Sequence, residues 1–117
     1  MKTLFCGAIT AFFLAFQSSA LGEDLEFFSI GSGDVSGNYY PVARSICEAF
    51  NHSDDTRRRC SPEPTAGSVY NITALRDREI EFAIVQSDTL RAAYNATEVF
   101  EGSLSMSELR VVMPLFP

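Results

Sequence analysis

The chain has 117 residues, with 15 acidic and 9 basic side chains, and its formal net charge at pH 7 is −6. This length suits one small domain or a piece of a larger protein. The acidic balance argues against nucleic acid or an anionic membrane as the main partner, because both repel a negatively charged surface.

The first twenty residues have the pattern of a secretory signal peptide. Lys2 gives a positive start, an apolar run follows over residues 4–16, and the small residues Ser18 and Ala20 suit the −3 and −1 positions of a signal-peptidase site. An uncleaved membrane anchor is the alternative, but the run is shorter than the roughly 20 residues that span a bilayer. We therefore expect cleavage after Ala20, export to the periplasm, and a mature segment over residues 21–117.

A predicted strand and helix open this mature segment. Residues 27–30 form a short apolar run that predicts a buried strand, and a glycine-rich loop over residues 31–37 follows it. The next segment, residues 38–50, carries apolar side chains at helical spacing and is predicted to be a helix. Those side chains belong to Tyr39, Tyr40, Ala43, Ile46, Cys47 and Phe50.

Two more pairs of a strand and a helix are predicted along the chain. A weaker strand covers residues 59–63, where prolines favour a short or edge strand, and Ser68 is predicted to cap the helix that follows. The clearest predicted strand covers residues 81–85. Ser87 or Asp88 is then predicted to cap a helix that carries Leu90, Ala93 and Tyr94.

The end of the chain is predicted to contain a loop and a last strand. Residues 95–107 have loop-like composition with at most one short turn, and residues 109–115 form an apolar run interrupted by Pro114. Because strands and helices alternate, the sequence predicts an α/β fold with a mostly parallel sheet and flanking helices. The apolar run has no polar tail after it, so we expect residues 21–117 to be part of a longer protein.

Cys47 and Cys60 are the two cysteines that remain after the predicted cleavage. An even pair of cysteines in an exported chain indicates a disulfide. A metal site or a reactive thiol is the alternative, but a metal site needs more ligands, and the one histidine, His52, lies in a polar turn. We therefore expect a disulfide and no bound metal.

The candidate binding residues lie in three loops, each between a predicted strand and a predicted helix. Ligands of open α/β sheets bind outside the carboxyl ends of the strands, where helix N-termini present free N–H groups to anions. Each residue also has a structural explanation, such as turn geometry for a glycine or capping for Ser68. The predicted ligand-binding residues are Ser32, Gly33, Tyr39, Thr65, Gly67, Ser68, Gln86, Ser87 and Asp88.

Catalytic and cofactor-binding alternatives find less support in the sequence. The glycines of residues 31–37 resemble a dinucleotide fingerprint, but the third glycine is one place too late, and Asp54 and Asp55 lie in a polar turn instead of ending a strand. A Gly-x-Ser-x-Gly elbow is absent, and His52 has no evident nucleophilic partner. We expect no cofactor, no catalytic residue and no enzymatic activity.

Three ordered motifs resemble the TAXI family, the solute receptors of tripartite ATP-independent periplasmic (TRAP) transporters. The motifs are Ile-Gly-Ser-Gly-Asp-Val-Ser-Gly-Asn-Tyr-Tyr-Pro-Val-Ala at residues 30–43, Arg-Cys-Ser-Pro-Glu-Pro-Thr-Ala-Gly-Ser-Val-Tyr-Asn-Ile at 59–72, and Phe-Ala-Ile-Val-Gln-Ser-Asp at 82–88. The resemblance extends over residues 28–115. One departure is Ala66, where the family commonly has glycine.

The resemblance implies a two-lobed type II periplasmic-binding-protein fold, of which this chain covers part of the first lobe. Such receptors close by hinge motion on a small solute, often a carboxylate or an amino acid, and deliver it to TRAP membrane permease subunits that use an ion gradient. The family pattern also supports the disulfide, and motif position favours Tyr39, Ser68 and Gln86 as site residues. The alternatives are an exported hydrolase or transferase with catalytic residues beyond Pro117, and a secreted antigen or adhesion module without a small ligand.

Overall fold

The computed structural model describes residues 25–53, 57–103 and 105–116, so the predicted signal peptide and its cleavage site lie outside the described residues. Three strands alternate with three helices in these residues. The elements are β1 (Glu26–Gly31), α1 (Tyr39–Asn51), β2 (Arg58–Glu63), α2 (Ser68–Arg76), β3 (Phe82–Ala83), α3 (Ser87–Asn95) and a 3-10 turn (Glu98–Phe100). None of the described helices has the length and apolar character needed to cross a bilayer.

The three strands form one parallel sheet in the order β2-β1-β3. β1 and β2 pair along their whole length, from Glu26 opposite Arg58 to Gly31 opposite Glu63. β3 pairs with the other side of β1 only through Phe82 and Ala83. The predicted α/β fold with a parallel sheet and flanking helices is confirmed, and it is consistent with a lobe of a periplasmic-binding-protein fold.

The first of two core clusters lies between α1 and the sheet. Ala43 and Cys47 of α1 are buried against Ile30, Cys60 and Ile84. The ring of Phe28 extends this cluster, since it meets the rings of Phe50 and Phe82 edge-on, with centroids 4.9 and 5.5 Å apart. The helical spacing in the sequence therefore identified the face of α1 that packs on the sheet.

Two links hold the end of α1 against β2. The predicted disulfide between Cys47 and Cys60 is present and joins residues whose Cα atoms are 4.9 Å apart. The Asn51 side chain donates from Nδ2 to the carbonyl oxygen of Cys60 at 2.9 Å and accepts at Oδ1 from the Cys60 N–H at 2.8 Å. The same residue of β2 is thus held by a covalent bond and by two hydrogen bonds.

The second core cluster lies between α2, α3 and the segment after α3. Its buried members are Ile72, Ala92, Ala93, Phe100 and Met106. Ala92 and Ala93 form the packed face of α3, whereas Tyr94 is 48% exposed. Two adjacent alanines let α3 approach its neighbours more closely than a tyrosine in the same place would allow.

Two predicted strands differ from the structure. Only Phe82 and Ala83 of the predicted strand at residues 81–85 have strand pairing, although the Ile84 N–H still donates to the carbonyl oxygen of Gly31 at 2.8 Å. Residues 109–115 form no strand, and Val111 and Val112 are each 70% exposed. Strand pairing needs a neighbouring strand: the pairing of β3 with β1 stops at Ala83, and no described strand pairs with residues 109–115.

Candidate functional site

The helices begin at the same edge of the sheet. α1, α2 and α3 follow β1, β2 and β3 respectively, and parallel strands place their carboxyl ends together. We call the connecting segments at this edge, residues 32–38, 64–67 and 84–86, the carboxyl-end loops. The predicted grouping of three loops and three helix N-termini at one edge thus follows from the observed topology.

Hydrogen bonds connect the first two carboxyl-end loops through Ser32, Gly33 and Thr65. Ser32 is fully buried, and both its N–H and its hydroxyl donate to the carbonyl oxygen of Glu63, at 3.0 and 2.7 Å. The Thr65 N–H donates to the carbonyl oxygen of Gly33 at 3.2 Å. The Ser32 hydroxyl therefore supports the loop from within, and direct contact between Ser32 and a solute stays a prediction.

Ser68 joins the second loop to the third. Its hydroxyl accepts the N–H of Gln86 at 2.9 Å. The prediction that Ser68 caps α2 is wrong, because Ser68 is the first helical residue and Gly67 occupies the cap position without a side-chain hydrogen bond. Gly67 has φ of 97° and ψ of −163°, a conformation that is essentially restricted to glycine, so the chain turns one residue earlier than expected.

Asn71 connects the first loop to the third, although the sequence analysis did not include it among the candidates. It is fully buried on α2, and its Nδ2 donates to the carbonyl oxygens of Ser32 at 2.8 Å and Ile84 at 2.9 Å. Its Oδ1 has no hydrogen-bond partner among the described residues. The sequence signal was its position three residues after Ser68, which places both side chains on one face of α2.

Gly31 allows this close packing at the end of β1. A Cβ atom at residue 31 would lie 2.6 Å from Cδ1 of Ile80 and 2.9 Å from Oδ1 of Asn71. Both distances are shorter than real contacts of such atoms, so a larger residue would displace the Asn71 side chain. The hydrogen bonds between the loops therefore depend on a glycine at this position.

Gln86, Ser87 and Asp88 are exposed at the start of α3. Gln86 occupies the cap position in an extended conformation, and no side-chain cap hydrogen bond is formed there. The predicted capping by Ser87 or Asp88 is therefore wrong. The Asp88 carboxylate instead accepts the N–H of the adjacent Thr89 at 2.7 Å, within the first turn, where negative charge is favourable for the helix dipole.

A shallow cavity of about 230 Å³ opens between the first loop and α1. Its lining residues are Gly33, Asp34, Gly37, Asn38 and Tyr39. The Tyr39 ring stacks on Phe116, with ring centroids 5.6 Å apart. Of the predicted site residues, Gly33 and Tyr39 therefore lie together at this cavity, whereas Ser68 and Gln86 meet at the start of α2.

The helix N-termini at this edge differ in their charged neighbours. Asp88 lies in the first turn of α3, whereas the first turns of α1 and α2 contain no acidic residue. The starts of α1 and α2 are therefore more favourable for an anion than the start of α3. In the part of the chain that the structure describes, no group of three or more His, Cys, Asp or Glu residues is placed to hold a metal ion.

One family model matches the chain over residues 30–117, about three quarters of its length, and its description is the NMT1-like family. The matched region contains the end of β1 and every later element. It also includes all three carboxyl-end loops and the cavity beside α1.

Proposed function

Since the chain belongs to the NMT1-like family, a family of periplasmic solute-binding proteins, we propose that it captures a small carboxylate-bearing solute outside the cytoplasm. The observation that carries this proposal is the convergence of three hydrogen-bonded loops and three helix N-termini at one sheet edge. Free N–H groups and helix dipoles at such an edge favour a carboxylate without covalent chemistry.

The carboxylate would bind at the start of α2. The Asn71 N–H donates to the carbonyl oxygen of Gly67, which leaves the N–H groups of residues 68–70 available at the first turn. The adjacent side chains of Gln86 and Ser87 are exposed and carry polar groups that suit a solute's oxygens. Thr65 supports this arrangement, because its hydroxyl accepts the N–H of Gly67 at 3.2 Å.

The proposal extends to the transport partner and the cellular site. Resemblance to the TAXI motifs supports delivery of the solute to the permease subunits of an ion-gradient-driven TRAP transporter. The signal-peptide pattern at residues 1–20 and the disulfide between Cys47 and Cys60 support a periplasmic location. The receptor acts by reversible binding, so we expect no chemical change of the solute.

A binding screen on the full-length protein tests this function. Titration calorimetry with mono-, di- and tricarboxylates and with amino acids should find saturable, stoichiometric binding and a matching rise in melting temperature. At a hundredfold excess over Kd, linkage predicts about 2.7 kcal/mol of added stability. Turnover of a bound compound would support an exported enzyme instead, and a flat response to the whole panel would support a module without a small ligand.

A pair of glycine variants tests whether the carboxylate binds at the start of α2. Gly67 and Gly102 both have positive φ, of 97° and 79°, and a Cβ atom would meet no neighbour within 4 Å at either position. Gly67→Ala and Gly102→Ala both place a side chain at a positive φ, but only Gly67 adjoins α2. We expect Gly67→Ala to weaken binding about tenfold or more and Gly102→Ala to leave Kd unchanged, because only the first displaces the proposed N–H donors. Equal Kd values for both variants would place the carboxylate elsewhere.

A further inference from the structure

Two buried side chains on one face of α2 hold the third carboxyl-end loop at both of its ends. The Nδ2 of Asn71 donates to the carbonyl oxygen of Ile84 at 2.9 Å, and the Ser68 hydroxyl accepts the N–H of Gln86 at 2.9 Å. The loop is thus attached to α2 by one donor and one acceptor. The position of Gln86, a candidate solute contact, therefore depends on the packing of α2.

The same nitrogen atom of Asn71 also reaches the first carboxyl-end loop. Its second N–H donates to the carbonyl oxygen of Ser32 at 2.8 Å. The peptide group of this carbonyl continues into Gly33, which lines the cavity beside α1. Because both donors belong to one planar NH₂ group, a single atom fixes the separation of the first and third loops where β1 and β3 end.

The surroundings of Asn71 suit an asparagine more closely than any related side chain. Gly31 leaves the space for its Oδ1, since a Cβ atom at residue 31 would lie 2.9 Å from that oxygen. An ionised aspartate of the same shape has no N–H to donate, and leucine has none at all. Glutamine is one methylene longer, and a fully buried position takes an added methylene only by displacing its neighbours. The two bonds therefore require both the length and the NH₂ group of asparagine.

We propose that Asn71 is the positioning residue of the solute site, because it sets the distance between two of the loops that face the solute. This inference rests on the proposed function and adds the residue that determines the geometry of its binding loops. Asn71 is fully buried, so it acts through Gly33 and Gln86 and not by touching the solute. Binding groups must be held within about 0.5 Å of their productive positions by hydrogen-bonded supports, so loss of the bridge weakens binding while the protein stays folded.

A matched pair of asparagine variants tests this role in the full-length protein. Asn71→Leu removes both loop bonds without adding a charge. Asn51→Leu is the control, because Asn51 also makes two side-chain hydrogen bonds, both to Cys60, but lies at the opposite end of α1 from the carboxyl-end loops. Both variants should lower the free energy of unfolding, so a change of Kd in Asn71→Leu alone separates positioning from stability.

The affinity would be measured by titration calorimetry with the tightest-binding compound of the carboxylate and amino-acid panel. We expect Asn71→Leu to raise Kd about tenfold or more and Asn51→Leu to leave it within about twofold. Equal Kd values for the two variants would overturn the positioning role and leave the proposed function intact. Failure of every compound to bind the wild type would overturn both.

Backbone amide shifts of the protein without solute provide a second readout. A hydrogen bond to a carbonyl oxygen polarises the peptide group and thereby shifts the amide nitrogen of the next residue. Asn71→Leu should therefore shift Gly33 and Val85, whereas Asn51→Leu should shift Ser61 and leave those two unchanged. Unchanged shifts at Gly33 and Val85 in Asn71→Leu would show that the bridge does not hold the loops.

A second pair of variants displaces the amide without removing it, in case Asn71→Leu does not fold. In Gly31→Ala/Ile80→Val the added Cβ meets the Asn71 Oδ1, while valine removes the Ile80 Cδ1 that the same Cβ would otherwise meet at 2.6 Å. Ile80→Val alone is the control. We expect the double variant to bind the same compound about tenfold more weakly than its control, and equal Kd values would overturn the proposal.

Discussion

Two regions of the molecule each contain an apolar run, but they differ in how much strand pairing that run makes. In the first, residues 26–63, β1 and β2 pair along their full length and the disulfide and Asn51 attach α1 to β2. In the second, residues 82–116, β3 has two residues and the apolar run at 109–115 has no strand pairing. The difference shows that an apolar run alone does not specify a strand, because a strand also requires a neighbouring strand with which to pair.

The disulfide should make the largest single contribution to the stability of the first region. Its cysteines are 13 residues apart, and a loop of roughly that size corresponds to about 3 kcal/mol of chain entropy removed from the unfolded state. We expect Cys47→Ala/Cys60→Ala to lower the free energy of unfolding by about that amount in urea titrations. Ser45→Ala, at an exposed position of α1, is the control and should change little. Equal stability of the double variant and the control would show that noncovalent packing alone stabilises this region.

Asn71 should make the next largest contribution to the free energy of unfolding, because it connects the two regions. Replacement by leucine keeps a similar volume but leaves the buried carbonyl oxygens of Ser32 and Ile84 without their donor, at a cost of about 2 kcal/mol. Thr73→Val is the control, since the Thr73 hydroxyl bonds only to the Val69 carbonyl oxygen of its own helix. Unfolding titrations that gave both variants the same small effect would contradict the role of Asn71 as the link.

Ser68 should contribute about 1 kcal/mol to the free energy of unfolding through its hydrogen bond to the third carboxyl-end loop. Ser68→Ala removes the acceptor of the Gln86 N–H, so we expect faster hydrogen exchange at Gln86 and unchanged exchange within α2. The opposite pattern, with fraying of α2 and a protected Gln86, would restore the capping role that the sequence suggested.

The smallest effect is expected in the exposed apolar run. Val112→Ser should change the free energy of unfolding by no more than about 0.5 kcal/mol, because its side chain is already in water. Val42→Ser is the comparison in the first region, where the side chain packs on the core cluster, and should cost about 1–2 kcal/mol. A cost at Val112 equal to that at Val42 would mean that both regions are packed alike.

Local patterns predicted most of the first region correctly. The apolar spacing of α1, Pro62 and Pro64 at the end of β2, and the even cysteine pair each carry a physical constraint that acts over a short stretch of the chain. The alternation of strands and helices then predicted a parallel sheet with the loops at one edge. What the sequence could not show was the extent of β3 and the state of residues 109–115, which depend on partners distant in the chain.

The sequence predicted which loops contain the candidate residues, but it did not predict the contacts between those loops. The sequence identified Ser68 and Gln86 individually, but their hydrogen bond depends on the packing of α2 beside β3. Asn71 was missed because a polar residue within a helix is ordinarily exposed, and its burial depends on the fit to Gly31. Asp34 was not among the predicted residues, and its place in the lining of the cavity beside α1 depends on the fold of the loop, which sequence spacing does not show.

Mapping the bound solute on the protein tests the binding site most directly. Backbone amide chemical shifts of the isotope-labelled full-length protein would be followed during titration with the tightest-binding compound of the carboxylate and amino-acid panel. We expect the largest changes at Gly33, Gly67 and Ser87, in the first two carboxyl-end loops and at the start of α3. Changes confined to the opposite edge of the sheet, at residues 77–81 and 96–103, would contradict a solute site at the carboxyl ends of the strands.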